Sequence, residues 1–231
     1  MQNAHSDGLF AKRLSAFFPL SRDEQRRLDA LPSGPVNMKR GKPLVQEVQS
    51  GPRAYVLQRG WACSYKILPN GARQIISFPV PGDCLGLRSV LLRTADHYFS
   101  TLTDAVVRPI DGSRIMETVK EFPRLGAAIL WGASRDEAMD VEHLVCIGRR
   151  SAIRRAAYFF LNLGERLRLV GLATETEFKC PLSQYDLADA LGLSPIHVNR
   201  VLRQLSERGL LTFREGKVEL HDLRGVRRLA G

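Results

Sequence analysis

The stretch QYDLADALGLSPIHVNRVLRQ, residues 184–204, encodes a helix, a glycine turn and a second helix, and its reading organises the rest of the chain. Ser183 stands where an N-cap belongs, and Asp186 sets a carboxylate in the first turn, at the positive end of the helix. Leu187, Ala188 and Leu191 form the apolar face of this first helix. Gly192 supplies the positive φ that a tight exit requires. Ser194 followed by Pro195 is a start signal, because proline at the first helical position gives up no hydrogen bond. The spacing predicts a second helix over residues 195–208. Its Val198, Val201, Leu202 and Leu205 recur at helical intervals and face a core, leaving Ile196, His197, Asn199, Arg200 and Arg203 outside.

A charged outer face is usually just a solvated face. Here the capping, the turn glycine and the core spacing agree with one another, and Asn, Arg and His cluster toward the N-terminal end of the exposed face. That is the chemistry of major-groove entry, in which Arg bonds bidentately to guanine and Asn to adenine. Downstream, Gly209 ends the helix, and LLTF and KVEL flank Arg214, Glu215 and Gly216. Two short apolar runs around a glycine read as a hairpin, a wing in this position. Lys217 beside the turn is placed for a phosphate, and Ser183, Gln184, Ser194 and Arg203 for others.

Composition agrees with a polyanionic partner. The 231 residues carry 34 Lys and Arg against 24 Asp and Glu, a net charge of +10. From Gly148 onward 15 basic residues face 9 acidic ones, so 15 − 9 = +6 of that excess lies in the last third. The length fits two domains. The chain has no run of about 18 apolar residues and no charged-then-apolar start, so a cytoplasmic protein without membrane contact is expected. Cys63, Cys84, Cys146 and Cys180 are scattered, and the five histidines do not cluster. No metal site, cofactor or catalytic constellation is expected, and isolated buried thiols are the default reading of the cysteines. Redox sensing through Cys84 or Cys146 has no support from spacing.

The first half has a different texture. Residues 10–18 and 21–31 read as short helices, the second capped by Ser21. AYVLQ, WACSYKIL, RQIISFPV and STLTDAVVRPI then read as strands at about ten-residue spacing, punctuated by glycine, with Pro69-Asn70-Gly71 as a hairpin turn. These strands predict a small antiparallel roll whose interior could take an effector. A helix ending at Glu121 breaks at Phe122 and Pro123, a long helix follows, and Ser151 is placed to cap the next one. The fold class is α+β: an antiparallel β-roll of the double-stranded β-helix or jelly-roll type over residues 1–121, a long dimerisation helix over 122–148, and a winged helix-turn-helix over 149–231.

This order resembles the Crp/Fnr family of bacterial transcription regulators across nearly the whole chain. PNGARQIISFPVPGDCLGL, RRAAYFFLNL and DLADALGLSPIHVNRVLRQLSERGLL carry the resemblance, the last with high specificity. The resemblance implies a homodimer joined through its central helices, bound to a palindromic double-stranded DNA site, with RNA polymerase as a candidate protein partner. Departures matter as much. The effector-pocket positions are Gly86, Leu87, Arg88, His97 and Tyr98. Gly86 is retained, but Leu87 stands where cyclic-AMP-responsive members place a glutamate for the ribose, and His97-Tyr98 replace an Arg-Ser pair for the cyclic phosphate. Leucine accepts no hydrogen bond, so cyclic AMP is not the expected ligand. Arg88 and Arg93 are available to an anion instead. The cysteine-rich N-terminal cassette of the oxygen-sensing branch is absent. In the recognition helix Ile196 replaces the usual glutamate, while Arg200 is kept. Arg200 is expected to read guanine, Ile196 a thymine methyl, and Asn199 or His197 a further base or phosphate. A ligand-gated regulator and a constitutively competent one whose roll is a scaffold both fit the sequence. An RNA-binding or enzymatic protein fits poorly, because no stacking platform or catalytic set is present.

Overall fold

The computed structural model describes residues 8–44, 53–92 and 98–231. The chain forms two compact units, residues 1–65 with 78–138, and residues 66–77 with 139–231. By contacts, then, a hairpin within the roll segment groups with the C-terminal residues, a division that differs from the sequence boundaries.

The first unit opens with α1 (Leu9–Ser15) and α2 (Arg22–Ala30). α1 is shorter than the expected 10–18. Phe17 and Phe18 both donate back to the Leu14 carbonyl, and Pro19 disfavours helical backbone just before it. α2 begins with a complete capping box: Glu24 N donates to Ser21 Oγ at 3.2 Å, and Ser21 N to Glu24 Oε2 at 2.7 Å. The strands that follow in the chain are β1 (Val36–Met38), β2 (Arg53–Arg59), β3 (Ala62–Ile67), β4 (Arg73–Ser77), which groups with the second unit, β5 (Cys84–Leu85), β6 (Tyr98–Thr101) and β7 (Ala105–Asp111). They form sheets of order β1-β7-β2-β5 and β4-β3-β6. The described pairs β1–β7, β2–β5, β2–β7 and β3–β6 are all antiparallel.

Two features of the roll depart from the sequence reading. The run 100–110, expected as one strand, is two, because Leu102 N turns to donate to the Trp61 carbonyl at 2.8 Å while Thr103 Oγ1 accepts from Trp61 N at 3.0 Å. The chain also forms a short helix, α3 (Leu87–Leu92), where only extended segments were anticipated.

One core cluster joins Phe10, Leu14, Leu28, Ile110, Ile115, Leu125 and Ile129, and a second joins Leu57, Leu85, Phe99 and Val107 between strands. Arg13 lies beside the first, ion-paired to Asp83, with both side chains 8% exposed. α4 (Gly112–Glu121) stops at Phe122, and Pro123 opens α5 (Pro123–Arg149), which is the expected break and the expected long helix.

The second unit contains α6 (Ala152–Leu169), β8 (Glu177–Lys179), α7 (Gln184–Leu191), α8 (Pro195–Glu207), β9 (Leu211–Arg214), β10 (Lys217–Leu220) and α9 (Leu223–Ala230). Ser151 occupies the N-cap of α6 with extended backbone, but its hydroxyl does not cap, correcting that expectation. The helix starts through Arg155 N donating to the Ser151 carbonyl at 2.9 Å. β8, β10 and β9 form an antiparallel sheet in that order. Phe160, fully buried on α6, packs against Phe213 of β9 with ring centroids 5.5 Å apart, which fixes the wing to the helices. α9 was not anticipated. Asp222 caps it by accepting from Gly225 N at 2.8 Å, and its Val226 and Ala230 are buried.

Candidate nucleic-acid interface

α7 begins with the reciprocal box expected of Ser183 and Asp186. Asp186 N donates to Ser183 Oγ at 3.2 Å, and Asp186 Oδ2 accepts from Ser183 N at 2.9 Å and Ser183 Oγ at 2.7 Å. The helix ends at Gly192, whose φ of 63° lies in the left-handed region. A Cβ there would sit 3.5 Å from Ile147 Cγ2, an ordinary contact, so the glycine is required by backbone conformation and not by space. Ser194 then caps α8 through its Oγ, which accepts from His197 N at 3.2 Å, and Pro195 occupies the first helical position. Replacing Ser194 with alanine leaves that donor without a partner and is expected to destabilise the second unit by about 1 kcal/mol in thermal unfolding. A loss below a few tenths would mean that water caps the helix equally well.

Val198, Val201 and Leu205 are buried, which turns the opposite face of α8 outward. Ile196, at the start of α8, is 76% exposed. An open concavity of about 400 Å³ is lined by Gln184, Pro195, Ile196, Asn199, Arg200 and Arg203, so the structure gathers five of the residues assigned to DNA on one surface. Gln184 Oε1 faces Asn199 Nδ2 at 3.5 Å. Arg203 is tied to Glu207 at 3.6 Å, whereas Arg200 makes no ion pair among the described residues. His197 adjoins this surface without lining the concavity.

Two of the assigned phosphate contacts need revision on chemical grounds. Both donors of Ser183, its N–H and its O–H, are already given to Asp186, so the residue acts as a cap and has nothing to donate to a phosphate. Lys217 sits beside the wing turn as expected, but its ammonium donates to Glu219 at 2.7 Å and meets Glu177 at 2.9 Å. Glu219 and Glu177 raise its pKa to about 12, so it stays charged, yet a phosphate must compete with both carboxylates. The turn itself places Glu215 at φ 50° and Gly216 at φ 70°, two successive left-handed residues that give the tight reversal of a two-residue hairpin. Sequence reasoning missed Tyr185, which is 70% exposed on the first turn of α7 beside Gln184. Its signal was an aromatic residue in the first turn, two positions after the cap and outside the helix's apolar repeat.

Of the four described residues assigned to an effector, Leu87 lines the cavity beside α1 and Gly86, Arg88 and Tyr98 do not. Leu87 lines a cavity of about 30 Å³ together with Phe10, Arg13, Phe17, Cys84 and Trp131, roughly the room of a water molecule or two. Tyr98 is half exposed and stacks on Tyr65 at 5.6 Å, and it does not line that cavity. Gly86 approaches the Arg53 carbonyl, and Arg88 lies on α3. His97 and Arg93 fall outside the described residues. Burial pushes the Cys84 thiol up to about 12, with the Asp136 and Asp83 carboxylates acting in the same direction, and burial likewise pushes Cys180 up to about 12. Thiols held so far above neutrality form little thiolate, the reactive species. Among the described residues, no group of three or more His, Cys, Asp and Glu side chains is arranged to hold a metal, and no helix is long and apolar enough to cross a membrane.

Residues 154–229 match the Crp-like helix-turn-helix domain, and residues 35–122 match the cyclic nucleotide-binding domain. The nitrogen fixation regulation protein FixK of Bradyrhizobium diazoefficiens is 32% identical over 84% of this chain and 81% of its own length. The anaerobic regulatory protein of Haemophilus influenzae is 25% identical over 98% of this chain and 88% of its own. Among solved structures, FixK2 from Bradyrhizobium japonicum superposes with a TM-score of 0.74 at 23% identity, covering 86% of this chain and 98% of that one, a likeness of fold. The two matched domains and these relatives make the protein a DNA-binding transcription regulator, not an enzyme, and a member of the Crp/Fnr family.

Proposed function

We propose that this regulator reads a palindromic operator in the cytoplasm as a homodimer, with one α8 per half-site and α5 as the dimer seam. The observation that carries the base reading is the exposed surface of α8, where Ile196, Asn199 and Arg200 meet Gln184 around one concavity. His197 adds to the reading, while Gln184, Ser194, Arg203 and Lys217 hold phosphates with Tyr185 beside them. For the seam, α5 leaves Leu130, Val141 and Leu144 exposed at 52%, 55% and 71%. Leu130 and Leu144 are two heptads apart, and Val141 falls on the same stripe, which suits a parallel partner helix. A dimer on DNA would act through RNA polymerase.

Selection of duplexes from random DNA tests the reading directly. Inverted half-sites spaced by about one helical turn are expected. Enrichment of single, unpaired half-sites would refute the dimeric arrangement, and no enrichment would refute the base readers.

Lys217 gives a separate prediction. Lys217→Ala is expected to weaken binding to all duplexes alike and to lower the slope of log K against log salt by about one. Glu219→Gln removes a competitor for the same ammonium and is expected to tighten binding to all of them. An unchanged salt slope in Lys217→Ala would assign the lysine to the wing sheet alone.

A second reading, constitutive DNA competence with the roll as scaffold, is favoured by the small cavity beside Leu87. Titrating candidate metabolites against operator binding separates this reading from ligand gating, and for cyclic AMP no change in affinity is expected. A shift in affinity would restore the roll as a cyclic-nucleotide sensor.

A further inference from the structure

α7 carries two carboxylates one turn apart, Asp186 and Asp189, although its N-terminal turn lies beside the surface assigned to a polyanion. One arginine engages both. Arg73 on β4 donates from Nε to Asp189 Oδ2 at 2.8 Å and from Nη2 to Asp186 Oδ1 at 3.0 Å. Asp186 is 9% exposed and has already given its other oxygen, Oδ2, to the cap at Ser183. Its two oxygens therefore link the start of α7 to the hairpin. Gln74 Nε2 approaches the Ala190 carbonyl at 3.5 Å, near the far end of the same helix. Ile75, fully buried, follows. The turn of this hairpin is itself closed by Leu68 N donating to Ala72 O at 2.8 Å and by Asn70 Oδ1 accepting from Ala72 N at 3.0 Å. Residues 66–77 thus meet α7 as a preformed element and belong to the same compact unit.

We propose that Arg73 is a positioning residue for DNA binding, a fork that clamps Asp186 and Asp189 and makes hairpin 66–77 part of the DNA-reading machinery, outside the matched helix-turn-helix segment. The proposal rests on the DNA-reading surface described above. Arginine suits the task because its planar guanidinium presents separate donors to separate acceptors, which an ammonium cannot do in a fixed geometry. Its side chain is 31% exposed and that of Asp186 is 13%, so the contact is shielded well beyond an ordinary surface ion pair. Without Arg73 the two carboxylates, at i and i+3, repel each other along α7, and the helix that supports α8 gains a negative charge.

The test uses the full chain, a duplex enriched by the wild-type protein from random DNA, and a scrambled duplex of equal length. Arg73→Ala is expected to weaken binding to the enriched duplex about fivefold, the scale of one ordinary net hydrogen bond, because the loss reaches the DNA only through the position of α7. Arg73→Lys, which keeps the charge and the fold but not the fork, is expected to fall between the two. The charge exchange Arg73→Asp with Asp189→Arg puts an arginine between two carboxylates again, and is expected to restore affinity. A merely structural role would be rescued as well, so binding is compared at a temperature where thermal unfolding shows Arg73→Ala fully folded, and a loss of affinity that persists there is the loss a positioning role requires. Binding by Arg73→Ala within twofold of wild type, or failure of the exchange to restore what Arg73→Ala loses, overturns the clamp alone. A wild-type protein that enriches no duplex overturns the DNA-reading surface and the clamp with it.

Discussion

Arg13→Met is expected to destabilise the first unit by about 3–5 kcal/mol, because it leaves a buried carboxylate without its guanidinium. Arg13 and Asp83 come from α1 and from the loop before β5, and each side chain is 8% exposed. Asp83 also accepts from Val80 N at 3.0 Å, so it keeps a hydrogen bond in the variant and the loss should lie toward the lower figure. Arg13 reaches Asp136 as well, at 3.2 Å, but that carboxylate is 50% exposed and water can replace the contact. The buried partner therefore decides the magnitude. Both tryptophans, Trp61 and Trp131, lie in the first unit, and Trp131 stacks on Phe17 at 5.2 Å close to Arg13 in the same cavity wall. Denaturant unfolding followed by tryptophan fluorescence thus reports the unit in question. A loss under 1 kcal/mol would mean that the pair is solvated like a surface contact. The double variant Arg13→Met with Asp83→Asn removes the stranded charge and should recover part of the loss, which distinguishes electrostatics from lost packing.

Parts of the molecule whose determinants are close in sequence were legible in the chain, and parts that depend on distant partners, as the Arg13–Asp83 pair does, were not. The helix pair was, because its determinants are local: Ser183 and Asp186 are three residues apart, Gly192 has to adopt a positive φ, and Ser194 and Pro195 are adjacent. Each signal acts within one turn of helix and agrees with the next. α9 was not legible, because LRGVRRLA has a glycine and three arginines in eight residues, and its apolar stripe becomes decisive only when Val226 and Ala230 find a core. The split of β6 from β7 depends on Trp61, some forty residues away, and no local pattern announces it. Arg73 met the same limit. Its partners lie 113 and 116 positions on, and a lone arginine at the start of a strand looks like an ordinary surface residue. Ser183 failed in a subtler way, since the capping that identified the helix is also what consumed the donors assigned to phosphate.

Arg200→Ala is expected to remove about 1–3 kcal/mol of base discrimination, roughly five- to 150-fold at the guanine it reads. The structure separates this residue from its neighbour Arg203, which Glu207 holds at 3.6 Å on the exposed side of the same helix. Arg200 has no such tether among the described residues and lines the concavity with Ile196 and Asn199. An untethered guanidinium can present two of its donors to the O6 and N7 of one guanine, and loses no existing ion pair in doing so. Arg203 would first have to release Glu207, an exposed pair worth little, so it suits a phosphate, which requires charge but no base geometry. The two arginines should then differ in kind. Arg200→Ala should flatten the sequence preference at one position of each half-site, whereas Arg203→Ala should weaken all duplexes nearly alike and reduce the salt slope. Ile196 sharpens the test, because an aliphatic side chain at the start of α8 can favour a thymine methyl but cannot accept from a cytosine amino group. Repeating the selection with Arg200→Ala should therefore keep any thymine preference set by Ile196 while the guanine is lost. If the guanine survives and the thymine disappears, the roles assigned along α8 are reversed.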